Sequence, residues 1–149
     1  MGHGRVRAQP TVVAAAVVRN DGLVLIARRR EEGPRGGLWE FPGGKVEPGE
    51  TDAGALAREL EEELRVKVSV GQPVDTVVWT YPEIAIELRA YECAIVEGEP
   101  TPVEHEETRW VRPAELAGYA FCEADVPIAE RLASLGRGPR REISGTDVG

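Results

Sequence analysis

Three glutamates at helical spacing are the residues of this sequence that could bind a metal ion. Glu59, Glu62 and Glu63 stand at positions i, i+3 and i+4 in a run of helix formers, so one helix face would carry all three carboxylates. Carboxylates this close repel one another unless a cation lies between them. Oxygen-only ligand sets favour Mg²⁺, Mn²⁺ or Ca²⁺ over Zn²⁺. A solvated acidic face is the alternative, and it would be favoured if the pattern stood alone.

The element that must position these carboxylates is a helix preceded by a glycine-rich turn. Four residues of the turn do not continue a helix easily, namely Gly43, Gly44, Pro48 and Gly49. The helix is predicted to begin with Thr51 or Asp52 as its N-cap. An apolar stripe on a neighbouring face consists of Leu56, Leu60 and Leu64. The helix is therefore expected to have one buried side and one acidic side.

A longer pattern surrounds these glutamates. Five residues separate Gly44 from Glu50, and seven more lead to the run Arg58-Glu59-Leu60-Glu61-Glu62-Glu63-Leu64-Arg65-Val66. The whole closely resembles the Nudix box, the signature of the Nudix hydrolase family. One position departs from it, because Arg65 stands where the family usually has the glycine that ends the helix. The departure concerns the helix C-cap and not the metal ligands.

The resemblance implies a role for each matching residue. The implied metal ligands are Glu59, Glu62 and Glu63, with a backbone carbonyl near Gly43 or Gly44 assisting. Glu50 is implied to pair with Arg58 and so to brace the turn against the helix. The implied cofactor is Mg²⁺, with Mn²⁺ as a substitute, because attack on an anionic polyphosphate needs its charge neutralised.

A general base is implied by resemblance to the MutT-like branch of the family. That branch has a glutamate upstream of a late tryptophan, and here Glu104 lies six residues before Trp110. Under a shifted alignment, Glu106 or Glu107 could take the same role. The adjacent His105 is interpreted as a surface residue.

Three residues are candidates for binding the substrate. Arg28 belongs to a cluster of three arginines and lies near the base pocket by resemblance, while Lys45 is a candidate phosphate contact. Asp125 occupies the position at which MutT-like enzymes contact the base, and it could equally be a helix N-cap before Pro127. An ionised Asp125 would accept from the N4 amine of cytosine, whereas a protonated one could serve a guanine edge.

The remaining pattern predicts a mixed α/β fold. Hairpins are expected over 12–29 and over 66–96, the second with a break at Gly71-Gln72-Pro73, and a short strand over 108–111. A short helix is predicted over 113–117 and the last helix over 126–135. One aromatic of Trp39 and Phe41 is expected in the core. The resemblance sharpens this to the Nudix α/β/α sandwich with a mixed central sheet.

Length and composition indicate one domain. The chain of 149 residues is expected to have a flexible N-terminus over 1–10, a single domain over 11–135 and a disordered tail over 136–149. The net charge of −8 argues against nucleic-acid polymers and anionic membranes as partners. Cys93 and Cys122 are isolated, so neither a zinc site nor a disulfide is indicated. We expect a cytoplasmic monomer or weak homodimer.

The function implied is a Mg²⁺-dependent nucleoside triphosphate pyrophosphohydrolase. Its reaction would convert a nucleoside triphosphate, or a modified one such as 8-oxo-dGTP, to the monophosphate and pyrophosphate; CTP or dCTP is an equally open substrate. One alternative is a Nudix hydrolase of ADP-ribose or of dinucleoside polyphosphates. Another is a non-catalytic Nudix module that senses a nucleotide, although such modules typically lose the box acids that are kept here.

Overall fold

The structure is a computed structural model that describes the backbone of residues 9–141 and the side chains of residues 9–135. Residues 1–8 of the expected flexible N-terminus and residues 142–149 of the expected tail lie outside the described part. Seven strands are described, namely β1 (Thr11–Asn20), β2 (Leu23–Arg28), β3 (Trp39–Glu40), β4 (Gly43–Lys45), β5 (Lys67–Thr80), β6 (Ala85–Glu97) and β7 (Glu107–Val111). The helices are α1 (Asp52–Leu64) and α2 (Val126–Arg141), with 3₁₀ helices over Pro113–Gly118 and Glu123–Asp125.

The strands form one mixed sheet. Its main order is β3-β2-β1-β6-β5, with β4 paired to β1 and β7 paired to β2. The pairing of β1 with β6 is parallel, and the other strand pairs are antiparallel. The two predicted hairpins, β1 with β2 and β5 with β6, are confirmed.

Alternation along β1 divides the core into two layers. Ala15 and Val17 pack in a cluster with the α2 residues Ile128 and Leu132. Their neighbours Ala14, Ala16 and Val18 pack instead with the α1 residues Leu56, Leu60 and Leu64. Because successive strand residues point to opposite faces, the two helices lie on opposite sides of the sheet. The predicted α/β/α sandwich is confirmed.

The two ends of α1 are set by local residues. Thr51 is the N-cap, and its Oγ1 accepts a hydrogen bond from Gly54 N–H at 3.0 Å. At the other end Arg65 adopts φ 60° and ψ 36°, and its N–H donates to the Glu61 carbonyl at 3.0 Å. The left-handed C-cap that glycine usually supplies is therefore kept, with an arginine in it.

Three expectations about the fold were wrong. The last helix continues beyond Leu135 to Arg141, because glycine lowers helix propensity without forbidding a helix. The Gly71-Gln72-Pro73 segment is not a break, since β5 runs through it with two register shifts. Both Trp39 and Phe41 are buried, at 7% and 3% exposure, although only one was expected to be. No helix in the described residues is long and apolar enough to span a membrane.

Candidate active site

Gly43 and Gly44 let the turn approach both the sheet and α1 closely. A Cβ on Gly44 would collide with the carboxylate of Glu59, and a Cβ on Gly43 would collide with the carbonyl of Ala14. Gly43 is therefore restricted to glycine by close approach to backbone and not by a special backbone angle, whereas a Cβ on Gly44 would require the Glu59 carboxylate to shift. The Glu59 carboxylate consequently lies directly against the backbone of the glycine turn.

Arg58 joins the turn to the helix. Its Nε and Nη2 donate to the two carboxylate oxygens of Glu50 at 2.8 and 2.9 Å, and Nη2 also donates to the Lys45 carbonyl at 3.1 Å. The hydrogen bond from Arg58, together with one from Glu47 N–H, lowers the pKa of Glu50 to about 2. The expected pairing of Glu50 with Arg58 is present, with the two-point geometry that only arginine provides.

Glu63 is the acid whose environment most favours a cation. Its Oε1 is buried and has no hydrogen-bond partner among the described residues. Burial, followed by the negative charges of Glu40 and Glu59 and by Glu104, raises the pKa of Glu63 to about 9. A divalent cation at this point would supply the missing partner and relieve the repulsion.

Glu62 lies at the edge of this group. Its side chain is 57% exposed, compared with 15% for Glu59, and its Oε1 is 3.5 Å from Arg58 Nη1. Within the described residues, no three acidic, histidine or cysteine side chains are already arranged around one point as a metal site. The fit to a cation rests instead on the orphaned oxygen of Glu63 and on the oxygen-only chemistry of the set.

Glu104 and Glu63 both line a cavity of about 460 Å³. The loop that carries it is fixed from two sides. Val103 N–H donates to the Glu63 carbonyl at 2.9 Å, and Arg30 Nε donates to the Glu104 carbonyl at 2.7 Å. Lys45 lines the same cavity, so the candidate base and the candidate phosphate contact share one space.

His105 is not a surface residue, and that expectation was wrong. It is 7% exposed, and its Nε2 lies 2.8 Å from Glu40 Oε2. Arg29 Nη1 donates to the other Glu40 oxygen at 3.0 Å. Both Glu40 and His105 line the cavity. Glu40 is a site residue that the sequence analysis did not predict, and the signal for it was its place between the buried Trp39 and Phe41.

Asp125 lines the same cavity. It is 7% exposed, and its Oδ2 accepts a hydrogen bond from Phe41 N–H at 2.9 Å. Burial, aided by the charge of Glu40, raises the pKa of Asp125 well above its ordinary value. Asp125 closes a 3₁₀ turn directly before α2, and the side-chain bond to Phe41 ties it to the strand that precedes the glycine turn.

Tyr81 and Arg35 also line the cavity. The Tyr81 hydroxyl accepts from Ala124 N–H at 2.8 Å, next to Asp125, and the Arg35 guanidinium lies 3.9 Å above the Tyr81 ring. Arg35 also pairs with Glu83 at 2.8 Å. The planar cation and the aromatic ring give this part of the cavity a flat face suited to a nucleobase.

Arg28, a candidate substrate contact, is engaged with protein groups in this structure. Arg28 does not line the cavity; its Nη2 pairs with Glu107 at 3.0 Å, and its guanidinium lies 6.0 Å from the Trp39 ring centre. The neighbouring Arg29 and Arg30 line the cavity instead. β2 ends at Arg28, so the two arginines that line the cavity belong to the loop that follows the strand.

The comparisons with known proteins agree with this geometry. A model of the NUDIX domain matches residues 13–131. The CTP pyrophosphohydrolase of Escherichia coli (strain K12) is 37% identical over 123 residues, covering 83% of this chain and 91% of that protein. The putative 8-oxo-dGTP diphosphatase 2 of Mycobacterium tuberculosis (strain ATCC 25618 / H37Rv) is 42% identical over 121 residues, covering 76% and 81%.

Solved structures give the same result. The crystal structure of the MutT protein from Methanosarcina mazei Go1 matches with a TM-score of 0.78 and 26% identity, covering 89% of this chain and 99% of that one. The family model spans nearly all of the sheet, α1 and the start of α2, and the curated relatives are covered over most of their own length. This chain therefore belongs to the Nudix hydrolase family, and to its MutT-like members.

Proposed function

We propose that this protein is a MutT-like nucleotide pyrophosphohydrolase that converts a nucleoside triphosphate to the monophosphate and pyrophosphate. The observation that carries the proposal is one cavity that is lined both by Glu63, with its buried and unpartnered oxygen, and by Asp125. The first residue suits a cation with phosphates, and the second suits a nucleobase. Relatives named for CTP and for 8-oxo-dGTP support the same reaction type.

Where α1 meets the glycine turn, the proposed ligands of a divalent cation are Glu59, Glu62 and Glu63, with a carbonyl of Gly43 or Gly44. Nudix hydrolases generally need a divalent metal, and we propose Mg²⁺, with Mn²⁺ as a substitute. When bound, the metal would neutralise the polyphosphate and favour attack of water on phosphorus. Arg58 and Glu50 hold the turn and helix in register, and Lys45 is proposed to contact a phosphate.

Glu104 is proposed to remove the proton from the attacking water. It lines the cavity beside Glu63, and its backbone is fixed by Arg30. A carboxylate is suited to this task when it lies within hydrogen-bond reach of the water. Neither Glu106 nor Glu107 lines the cavity, and Glu107 is held by Arg28 and Arg109, which favours Glu104 among the three.

Elsewhere in the same cavity, Asp125 is proposed to form a hydrogen bond to the base as a protonated carboxylic acid. Its raised pKa favours the neutral carboxyl, and Oδ2 is already occupied by Phe41 N–H. A protonated carboxyl can donate to an acceptor such as O6 of a guanine base, whereas an ionised one could only accept. We therefore propose 8-oxo-dGTP ahead of CTP or dCTP as the preferred substrate.

Initial rates on one panel test the proposal. The panel is CTP, dCTP, dGTP, 8-oxo-dGTP, ADP-ribose and diadenosine polyphosphate, each with Mg²⁺ and with excess EDTA, and the products are identified by ion-exchange chromatography. The expected result is metal-dependent release of pyrophosphate, fastest from 8-oxo-dGTP. A preference for ADP-ribose or for diadenosine polyphosphate would overturn the triphosphate assignment. Nucleotide binding without turnover of any compound would indicate a non-catalytic module.

We further propose that the protein acts on free nucleotides as a monomer or weak homodimer. The formal net charge of −8 supports the choice of free nucleotides, because a nucleic-acid polymer would need a basic surface to meet its phosphates. Size-exclusion chromatography with light scattering measures the oligomeric state directly. Retention of the protein on an immobilised DNA oligonucleotide at moderate salt would contradict the proposal that it acts on free nucleotides.

A further inference from the structure

We propose that His105 is a positioning residue for the hydrolytic reaction. Through its bond to half-buried Glu40, it holds the loop that places Glu104 in the cavity that Glu63 also lines. The inference rests on the proposed role of Glu104 as the base. It adds a positioning residue to that function and connects Glu104 with Asp125 through a series of side-chain interactions.

The first support is the burial pattern of the loop. Within residues 101–106, His105 is the one buried position, and the others are exposed. The loop therefore has a single side chain that anchors it to the interior. Glu104, which immediately precedes His105, is exposed and has no comparable packing of its own. Its direction depends on how firmly the next residue is held.

The second support is the choice of partner. Glu40 accepts from Arg29 Nη1 at 3.0 Å and is contacted by His105 Nε2 at 2.8 Å. Burial acts to raise the pKa of Glu40, but the bond from His105 and the charge of Arg29 keep that pKa below its ordinary value. An ionised carboxylate only accepts, so His105 Nε2 must be the donor. The anchor is thus a charge-assisted hydrogen bond, which fixes direction as well as distance.

The third support is the set of backbone bonds on either side. Val103 N–H donates to the Glu63 carbonyl at 2.9 Å, and Glu106 N–H donates to the Arg28 carbonyl at 2.8 Å. These bonds connect the loop to α1 and to β2. His105 lies between the two bonded residues in sequence, and its burial determines how deeply the loop packs against the interior. The Nδ1 atom of His105 is buried and has no partner among the described residues. A residue present only to fill space would not need an imidazole here.

Arg29 extends this link toward the substrate. It bonds Glu40, lines the cavity, and lies near enough to Asp125 for its charge to act on that carboxyl. The series of interactions therefore runs from Asp125 through Arg29, Glu40 and His105 to the loop of Glu104. Binding energy gained at Asp125 can in this way support the alignment of Glu104.

The test is a double-mutant cycle on the full chain, using 8-oxo-dGTP and CTP with Mg²⁺. His105→Leu is expected to lower kcat by about 10–100-fold, the range for groups that orient a site from behind, with KM little changed. His105→Gln can donate from about the same position and should recover most of the loss. In the Glu104→Gln background, His105→Leu should cause no further loss, because the residue it positions is already inactive.

Thr101→Val, in the same loop, is the matched control, since its hydroxyl bonds only the Glu99 carbonyl. It should leave kcat unchanged. If His105→Leu does not fold, as judged by circular dichroism, His105→Asn replaces it, because its shorter amide does not reach the Nε2 position. Equal kcat for the Gln and Asn variants would then overturn the inference.

Two failures can be told apart. If Glu104→Gln turns over at the wild-type rate, the base assignment in the proposed function fails, and the inference fails with it. If Glu104→Gln is slow but the loss from His105→Leu adds to it in full, only the positioning role fails. Wild-type kcat in His105→Leu would likewise overturn the inference while leaving the proposed function intact.

Discussion

The guanidinium of Arg58 binds both carboxylate oxygens of Glu50, at 2.8 and 2.9 Å, across the junction of the glycine turn and α1. The same guanidinium contacts Glu59 Oε2 at 3.1 Å. One side chain thus holds the turn, through Glu50, and steadies a proposed metal ligand. An ion pair that is still in contact with water contributes little to stability, so the consequence of this half-buried pair is positional.

Arg58→Lys should therefore lower activity while leaving the fold intact. Lysine keeps the charge but cannot bond two oxygens at once, so the turn and Glu59 lose their fixed relation. The expected loss in kcat is about 10–100-fold, as for other groups that orient metal ligands. Metal affinity, measured by calorimetry, should fall less than in Glu63→Gln. Equal losses of affinity in the two variants would contradict the positional role.

Glu63→Gln should abolish activity more completely than Glu62→Gln. Glu63 has the buried, unpartnered oxygen, whereas Glu62 is largely exposed and lies beside Arg58. The amide keeps the shape of the side chain and removes its charge. Rates measured over a Mg²⁺ titration should show that high Mg²⁺ rescues Glu62→Gln in part and Glu63→Gln hardly at all. The reverse order would mean that the exposed acid is the principal ligand.

The stability of the metal-free protein should fall as pH rises from about 4.5 to about 9, through Glu63. The folded state holds this proton up to its pKa of about 9, whereas the unfolded chain releases it near 4.5. In that window the unfolded state binds fewer protons, so the free energy of unfolding decreases with pH. The contribution is complete below the lower value and lost above the upper one.

Urea unfolding in EDTA across this range, compared between wild type and Glu63→Gln, isolates the effect. The free energy of unfolding of wild type relative to the variant should decline with rising pH, and added Mg²⁺ should remove the decline by replacing the proton. A pH-independent difference between the two proteins would mean that Glu63 is ionised throughout.

Asp125→Asn should preserve the ranking of substrates, whereas Asp125→Ala should weaken it. If Asp125 acts as a neutral donor, the amide can replace it, and both groups can accept from Phe41 N–H. Loss of the contact in the alanine variant should reduce discrimination between 8-oxo-dGTP and dCTP by about 1–3 kcal/mol, as a ratio of kcat/KM. A ranking inverted by Asp125→Asn would show that the carboxylate acts ionised.

Arg65→Gly should stabilise the protein by about 1 kcal/mol. Arg65 has φ 60° at the C-cap of α1, a conformation that costs a side-chain residue about 1–2 kcal/mol and glycine almost nothing. For a domain of this size the melting temperature should rise by about 2–4 °C, measured by calorimetry, with kcat unchanged. The matched control is Lys67→Gly in the strand that follows, which should destabilise instead.

The sequence by itself determined the local part of the site. Helical spacing places Glu59, Glu62 and Glu63 on adjacent positions of α1 because the backbone geometry of a helix leaves no alternative. The N-cap at Thr51 and the pairing of Glu50 with Arg58 also follow from residues close in the chain. Even the left-handed C-cap was kept with Arg65 in it, since packing of the leucine stripe outweighs a local cost of this size.

Only the tertiary structure decided the contacts between distant residues. His105 meets Glu40 across 65 positions of sequence, and Asp125 meets Phe41 across 84. Such contacts depend on the register of several strands at once. The choice among three successive arginines is made at the same level, because Arg29 and Arg30 line the cavity and Arg28 does not. The protonation of Asp125 and Glu63 is decided at the same level, because burial and neighbouring charges exist only once the sheet and helices have packed.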